Sequence, residues 1–353
     1  MKVLIVGAGP TGLTTALELA RHGIMPEIVD AKDEPSWKSR AVILLPRSIE
    51  ILERTGVGKR ILAEGIRMRK VHIHRGAKRL IDIALPGDLN IIGLAQDRTE
   101  MLMSEQLARM GVSIRYGIKV ESVKTRETSA EVTFQSGEKK TYDWVVGADG
   151  VGSSVRTSLN IPYEGYELAE EWSIADVELA GEDAYDSMNA WLLTGENRAR
   201  DAMVMVPIER NRVRLISSTP DSLEAVPIAL HVKNVRRTGT FKISVRQAAV
   251  YVQGRVVLAG DAAHAHSPIG GRGMNLGIED GQAVASALAR DTVEEYEQER
   301  KPKARAVIRS TEQARKIVTS NNPFIVAGIY AVTWCIQHSS FIQRRFVATI
   351  TNF

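Results

Sequence analysis

The chain carries a single cysteine, Cys335, in 353 residues. That excludes an intrachain disulfide and a cysteine-ligated metal centre, and it suits a reducing cytoplasm. Charge of one sign is also scarce: Lys plus Arg number 46 against 42 for Asp plus Glu, a net +4. An excess so small and scattered argues against a nucleic-acid partner. Long apolar runs are missing as well. The tail segment FIVAGIYAVTWCI, 324–336, is apolar for thirteen residues, short of the roughly twenty that a transmembrane span needs. It reads as a buried or dimer-forming helix. His338, Arg344 and Arg345 behind it leave a membrane-surface helix as the lesser alternative. No internal repeat or low-complexity tract occurs. The N-terminus runs straight into an apolar strand, so no secretory leader is expected and the expected location is cytoplasmic. Apolar residues at 44% and charged residues at 25% are the ordinary mix of a globular chain, long enough to fold as roughly two to three domain-sized pieces without covalent staples.

What is present is strongly patterned. KVLIV, 2–6, reads as a buried parallel strand, TTALELARHG as a helix stopped by Gly23, and PEIVD, 26–30, as a second strand ending on an acid. PRSIEILERTGV and TEMLMSEQLARMG are amphipathic helices, and VHIHRG with RLIDIAL alternates like a hairpin. SIRYGIKVESVKT, AEVTFQSG and KKTYDWVVGADG read as strands. From about 161 to 247 the segments WSIADVEL, AMVMVPI, RVRLISS and FKISVRQ suggest a separate β-rich layer without a glycine fingerprint. RVVLAGDAAH returns to strand-then-glycine-turn, and NLGIEDGQAVASALAR to helix. The helix through EEYEQERKPKARAVIRSTEQARKI should kink or restart at Pro302.

Chemistry shows in three places. Gly7-Ala8-Gly9-Pro10-Thr11-Gly12 stands between a strand and a helix. Gly7 serves the tight turn, Gly9 the approach of a pyrophosphate, and Gly12 the close packing of helix on strand. The helix N-terminus offers free N–H groups to phosphates. Asp30, about twenty residues on, can hold ribose hydroxyls. Together these indicate a dinucleotide-binding unit without deciding between NAD and FAD. The second place is Gly147-Ala148-Asp149-Gly150, followed by Val151, Gly152, Ser153, Ser154, Val155 and Arg156. The third is Gly260-Asp261-Ala262-Ala263-His264 followed by SPIGGRGMN, whose glycines permit close approach of the backbone to a flat ligand.

With all three in order, the sequence resembles the group A flavoprotein monooxygenases, the p-hydroxybenzoate and phenol hydroxylase type. SRAVILLPRSIEIL, QDRTEMLMSEQL, WSIADVEL and EEYEQERKPKA add to the resemblance at matching relative places. It implies an α/β fold: a discontinuous Rossmann-like FAD-binding domain (1–70, 90–160 and 248–320), an inserted β-sheet substrate domain (71–89 and 161–247) and a C-terminal helical tail (321–353). It implies FAD, with its pyrophosphate at Gly7, Gly9, Pro10, Thr11 and Gly12 and its ribose at Asp30. Arg40 and Gln96 match positions used around the cofactor, Asp149 one linked to both FAD and NAD(P)H. Gly260 and Asp261 would meet the ribityl chain, and Pro268, Gly270, Gly271, Gly273, Met274 and Asn275 would line the isoalloxazine ring. NADPH or NADH is the implied electron donor and O2 the co-substrate, a flavin C4a-hydroperoxide delivering one oxygen atom to an aromatic or polyketide-like small molecule. A dehydrogenase or reductase of the same fold, or a non-catalytic flavin-binding redox sensor, are the alternatives; monomer and homodimer both stay open.

Departures and temptations complete the reading. The family's longer members carry a thioredoxin-like C-terminal domain, and at 353 residues none is expected here. Arg272 stands where relatives often have Gln, and would either serve an anionic substrate or flavin or face solvent. His264-Ala265-His266 and His72-Ile73-His74 have same-face spacing but lack a carboxylate partner in the sequence pattern, so no metal is expected. Trp172, Trp191, Met203 and Met205 are core or pocket wall, Asp280 caps or orients the helix after the third segment, and no catalytic triad is visible.

Overall fold

A computed structural model describes residues 1–35, 41–76, 78–181, 185–194 and 200–351. One sheet gathers six strands in the order Val252–Gln253, Val256–Leu258, Trp144–Gly147, Val3–Val6, Glu27–Val29, Ile114–Arg115. All its pairings are parallel except the first. Parallel strands are covered on both faces, which is why VLIV and VVL are apolar at every position and fully buried. The helix Pro10–Arg21 packs against both Gln96–Arg109 and Gly273–Arg290. Segments far apart in the chain therefore build one layer, as a discontinuous α/β fold requires.

A second sheet holds eight strands: His264–Ala265, Val232–Ala248, Tyr163–Leu179, Arg212–Ser217, Arg200–Glu209, Ser187–Thr194, Lys70–Arg75, Lys78–Ala84. Its pairings are antiparallel apart from Ser187–Thr194 beside Lys70–Arg75. The early hairpin thus joins the middle segments of the chain. One face carries Trp191, Met203, Met205 and Leu215 in an apolar cluster; Trp172 lies in a different cluster with Leu168, Ile243 and Val245.

Two expectations narrow. Val293–Val318 is one helix with Pro302 inside it, so of the expected kink or restart the restart does not occur. Its buried residues, Tyr296 and Arg300 on one side of Pro302 and Ala304 and Val307 on the other, anchor both halves, so tertiary packing outweighs the lost backbone hydrogen bond. The apolar tail forms Pro323–His338, but that helix is not buried: Phe324 is 84% exposed and Trp334 63%. Its inner side rests on Lys78–Ala84, where the Asp82 N–H donates to Gln337 Oε1 at 2.9 Å. Among the described residues no single helix is long and apolar enough to cross a membrane; Pro323–His338 and Ser340–Thr349, bent by 112°, meet that length and composition only as a pair.

Candidate functional site

Steric fit brings the three glycine segments to one point. Gly7 has φ +107°, a left-handed backbone natural only to glycine. A Cβ there would strike the Ala148 carbonyl, joining the first segment to the second. A Cβ on Gly12 would strike the Gly7 carbonyl oxygen, so the helix closes tightly on its own turn. Thr11 joins the first segment to the third: its Oγ1 lies where side chains on Gly260 or Gly277 would begin. Gly277→Ala is therefore expected to cost about 1–3 kcal/mol by overpacking, read as a urea midpoint shift of the apoprotein, with loss of flavin retention; an unshifted midpoint would refute this packing argument.

Around that junction the backbone is left open. Pro10–Arg21 begins at Gly9 and Gly273–Arg290 at Arg272, and neither start has a side-chain cap. Space is clear where Gly9 or Gly273 would carry a Cβ. Two uncapped helix starts with unobstructed access form a cradle for anionic groups. Asp30, 8% exposed, accepts Ala8 N–H on Oδ2 at 2.7 Å and Lys32 N–H on Oδ1 at 2.9 Å. Its carboxylate is thereby fixed beside the turn, and each oxygen keeps capacity for a hydroxyl donor.

In the second segment Asp149 does structural work. Its Oδ2 accepts Ser154 N–H at 2.7 Å, Ser154 Oγ–H at 3.1 Å and Val155 N–H at 3.2 Å, capping the helix Ser154–Ser158. Oδ1 is buried without a hydrogen-bond partner among the described residues. Arg156, which the sequence reading left without a role, donates to the Ala262 and Val151 carbonyls at 2.8 and 2.7 Å and lies 3.9 Å over the Tyr163 ring. It ties the second segment to the third.

The third segment is anchored from below. Gly260–Ala262 is a 3-10 turn carrying the exposed Asp261. Asp280 is fully buried and accepts Gly260 N–H at 3.1 Å, Arg300 Nε–H at 2.6 Å and, across 2.5 Å, His264 Nε2. Burial alone would raise the Asp280 carboxyl, but Arg300 and His264 outweigh it and hold the group at about 2. Asp280 thus orients the turn; it does not cap the helix in which it lies.

Beyond His266 the chain turns through Gly270 and Gly271, where Gly271 N–H donates to the Pro268 carbonyl at 2.9 Å. Asn275 is spent on the fold: its Nδ2 donates to the Ile43 and Gly271 carbonyls and its Oδ1 accepts Leu45 N–H. The Met274 side chain belongs to the main apolar core. Gln96 likewise accepts Ala41 N–H at 3.2 Å and donates to Glu100 at 2.7 Å. Arg272 turns to the tail, donating to the Thr349 carbonyl at 2.8 Å. Arg40 lies outside the described residues. Ile269 packs on the cluster of Trp172 with Phe241 and Ile216, which puts an apolar sheet face against this loop.

Other groups escaped the sequence reading. Glu100 and Arg300 look like ordinary helix charges, and only their burial, 6% and 2% exposed, reveals them. Arg214 and Asp176, 1% and 5% exposed, form a two-pronged ion pair at 2.5 and 2.6 Å inside the large sheet. Period-two alternation does place them on one face, but gives no hint that they pair. His72 does find a carboxylate, Asp82 at 3.3 Å, contrary to the pattern-based reading; no group of three metal-type side chains occurs among the described residues. His74 stacks on Trp191 and meets Asn189 Oδ1 at 3.0 Å.

A family model described as "FAD binding domain" matches residues 1–311. The chain is 31% identical to the 6-methylpretetramide 4-monooxygenase of Streptomyces rimosus over 91% of its own length and 63% of that protein's. It is 30% identical to a rifampicin monooxygenase of Streptomyces venezuelae, over 93% of its length and 74% of that protein's. It thus spans about two thirds to three quarters of these two relatives. The crystal structure of p-nitrophenol 4-monooxygenase PnpA from Pseudomonas putida DLL-E4 shares the fold, with TM-score 0.88 over 98% of this chain and 96% of that one at 22% identity.

Proposed function

This chain belongs to the FAD binding domain family, and from that premise we propose that it is an FAD-dependent monooxygenase using NAD(P)H and O2 to hydroxylate an aromatic or polyketide-like small molecule. The observation that carries the reading is that the three glycine segments close on one another, the first on the second at Gly7 and on the third at Thr11, beside two uncapped helix starts. The residues fit the cofactor: an open cradle at Gly9 and Gly273 for phosphates and ring, a fixed carboxylate at Asp30 for a ribose, and exposed Asp261 for a polyol chain. By the resemblance of its sequence position, Arg40 would join them. When bound, FAD supplies the redox chemistry: electrons from NAD(P)H and the activation of O2. The chain itself binds, orients and excludes water. The backbone from Pro268 to Asn275 would hold the ring, and Trp172, Phe241 and Ile216 cover the loop with apolar surface. In this reading 71–89 and 161–247 form the substrate layer, and 1–70, 90–160 and 248–320 the cofactor layer.

The test follows the visible spectrum of the flavin-loaded protein under anaerobic NADPH, with and without a panel of phenols, then measures oxygen incorporation on admitting air. Bleaching hastened by a phenol, followed by a hydroxylated product, is expected. A reduced flavin that returns to its oxidised form with no oxygenated product from any compound would sink the monooxygenase reading.

A further inference from the structure

We propose that the outer face of the tail helix Pro323–His338, with the start of the helix Ser340–Thr351, is an anchor that lays the protein on an anionic lipid bilayer. The proposal goes beyond the flavin reading and does not rest on it. Between Pro323 and Ile336 the helix carries no charged side chain. Its inward side is committed to the protein: Thr333 and Ile336 are buried, Ile336 in one apolar cluster with Ile81 and Ile83. Its outward side is apolar and bare. Phe324, Ala327, Gly328 and Ala331 follow helical spacing, Val332 and Trp334 flank them, and all six are exposed. Phe341, 64% exposed, opens the next helix beyond the 112° bend. Large apolar side chains gathered in solvent in this way, rather than scattered singly, mark an interaction surface.

Charge selects the occupant. From 317 to 353 the sequence has no Asp or Glu, while Arg344 and Arg345 are present and exposed. Arg345 lies 5.9 Å over the Phe341 ring. The hairpin beneath the helix adds exposed Arg75, Lys78 and Arg79, with the Arg75 guanidinium 4.9 Å over the Tyr330 ring. Asp82, the acid of that hairpin, is paired with Arg79 at 2.9 Å. An apolar, aromatic face bordered by cations complements an anionic bilayer: rings seat at headgroup level and guanidiniums meet lipid phosphates. A second copy fits less well. A two-fold contact sets a patch against itself, which brings Arg344 and Arg345 toward their own duplicates with no tail carboxylate between them. Nor does the helix cross the bilayer. Its 16 residues fall short of the roughly twenty that a span needs, and Ile336 and Gln337 hold it on the hairpin.

The full chain is sedimented with phosphatidylcholine vesicles and with vesicles holding about a third phosphatidylglycerol. Binding to the second kind is expected, falling at least tenfold or so as salt rises from about 0.05 M to about 0.5 M; binding to the first should be much weaker. The double variant Phe324→Ser/Trp334→Ser should bind at least about tenfold more weakly, and Arg344→Gln/Arg345→Gln about tenfold more weakly. All four side chains are exposed, so circular dichroism and the thermal midpoint should match the wild type. Brominated lipid should quench part of the tryptophan emission of the wild type but not that of Trp334→Phe, which separates insertion of the ring from adsorption by charge alone. No vesicle binding by the wild type, or undiminished binding by Phe324→Ser/Trp334→Ser, would overturn the proposal, as would equal quenching in Trp334→Phe. A wild-type dimer that the Phe324→Ser/Trp334→Ser variant dissociates, without vesicle binding, would overturn it in favour of a second copy.

Discussion

Asp280→Ala is expected to lower the stability of the FAD-free protein by about 3–5 kcal/mol, the usual cost of removing one partner from a buried ion pair. Three donors lose their acceptor together: Arg300 Nε, the His264 ring and the Gly260 N–H. Arg300, 2% exposed, keeps Glu279 at 3.2 Å, but that carboxylate is shared with Lys303 at 2.7 Å. Asp280 titrates at about 2 in the folded chain against 3.8 as its ordinary value. A depressed carboxyl stabilises above its unfolded pKa and loses that contribution only as pH falls through the folded value. The Asp280 contribution to the gap between variant and wild type should therefore be present from about pH 5 upward and shrink in urea titrations as the pH falls towards about 2. Adding Arg300→Met should recover part of the loss by removing the stranded guanidinium. A gap under about 1 kcal/mol, of the size of a surface pair, would show that the network is solvated rather than buried. Because Gly260 hangs from Asp280, flavin retention should fall in step with stability.

Legibility in the sequence followed the kind of force involved. The parallel layer could be read because two-sided burial makes every residue of VLIV, WVVG and VVL matter, and the glycine turns announce close approaches by composition alone. The large sheet was readable from alternation, although the true strands Tyr163–Leu179 and Val232–Ala248 run well past WSIADVEL and FKISVRQ. Their exposed ends lack the alternation that marks a half-buried face. A restart at Pro302 does not occur, because local propensity says nothing of the residues that clamp the helix on either side. For the tail only the buried alternative is excluded. Apolar composition signals a wish for burial, but Pro323–His338 finds cover on one side only. Asn275 and Met274 belong to the right segment, yet their side chains serve the fold, because a motif fixes where the backbone goes and not where each side chain turns. Charges such as Glu100 and Arg300 were opaque: i, i+3 and i, i+4 spacing cannot distinguish a solvated charge from one enclosed by packed elements.

Glu100→Gln should stabilise the apoprotein by about 3 kcal/mol at pH 8 and by almost nothing at pH 4, a value that follows from the displacement of its pKa at about 1.4 kcal/mol per unit. Burial, before any other cause, pushes the Glu100 carboxyl up to about 7 from an ordinary 4.5, even though Gln96 and Lys32 pull it down; Asp97 and Asp30 push it further up. The folded state therefore holds a proton that the unfolded chain has already released. Between 4.5 and about 7 the native protein binds more protons than the unfolded one, so stability must fall as pH rises through that window and level off above it. Glutamine is a neutral match for the protonated acid, and its side-chain oxygen can still accept from Gln96 Nε2, now 2.7 Å from Glu100 Oε1. The difference between variant and wild type should accordingly open with pH rather than appear as a constant offset. Urea midpoints at intervals from about pH 4 to pH 8, taken on FAD-free protein so that cofactor linkage does not enter, measure it directly. A pH-independent difference would mean that Glu100 is ionised throughout and that its enclosure beside Gln96 is wetter than its 6% exposure implies.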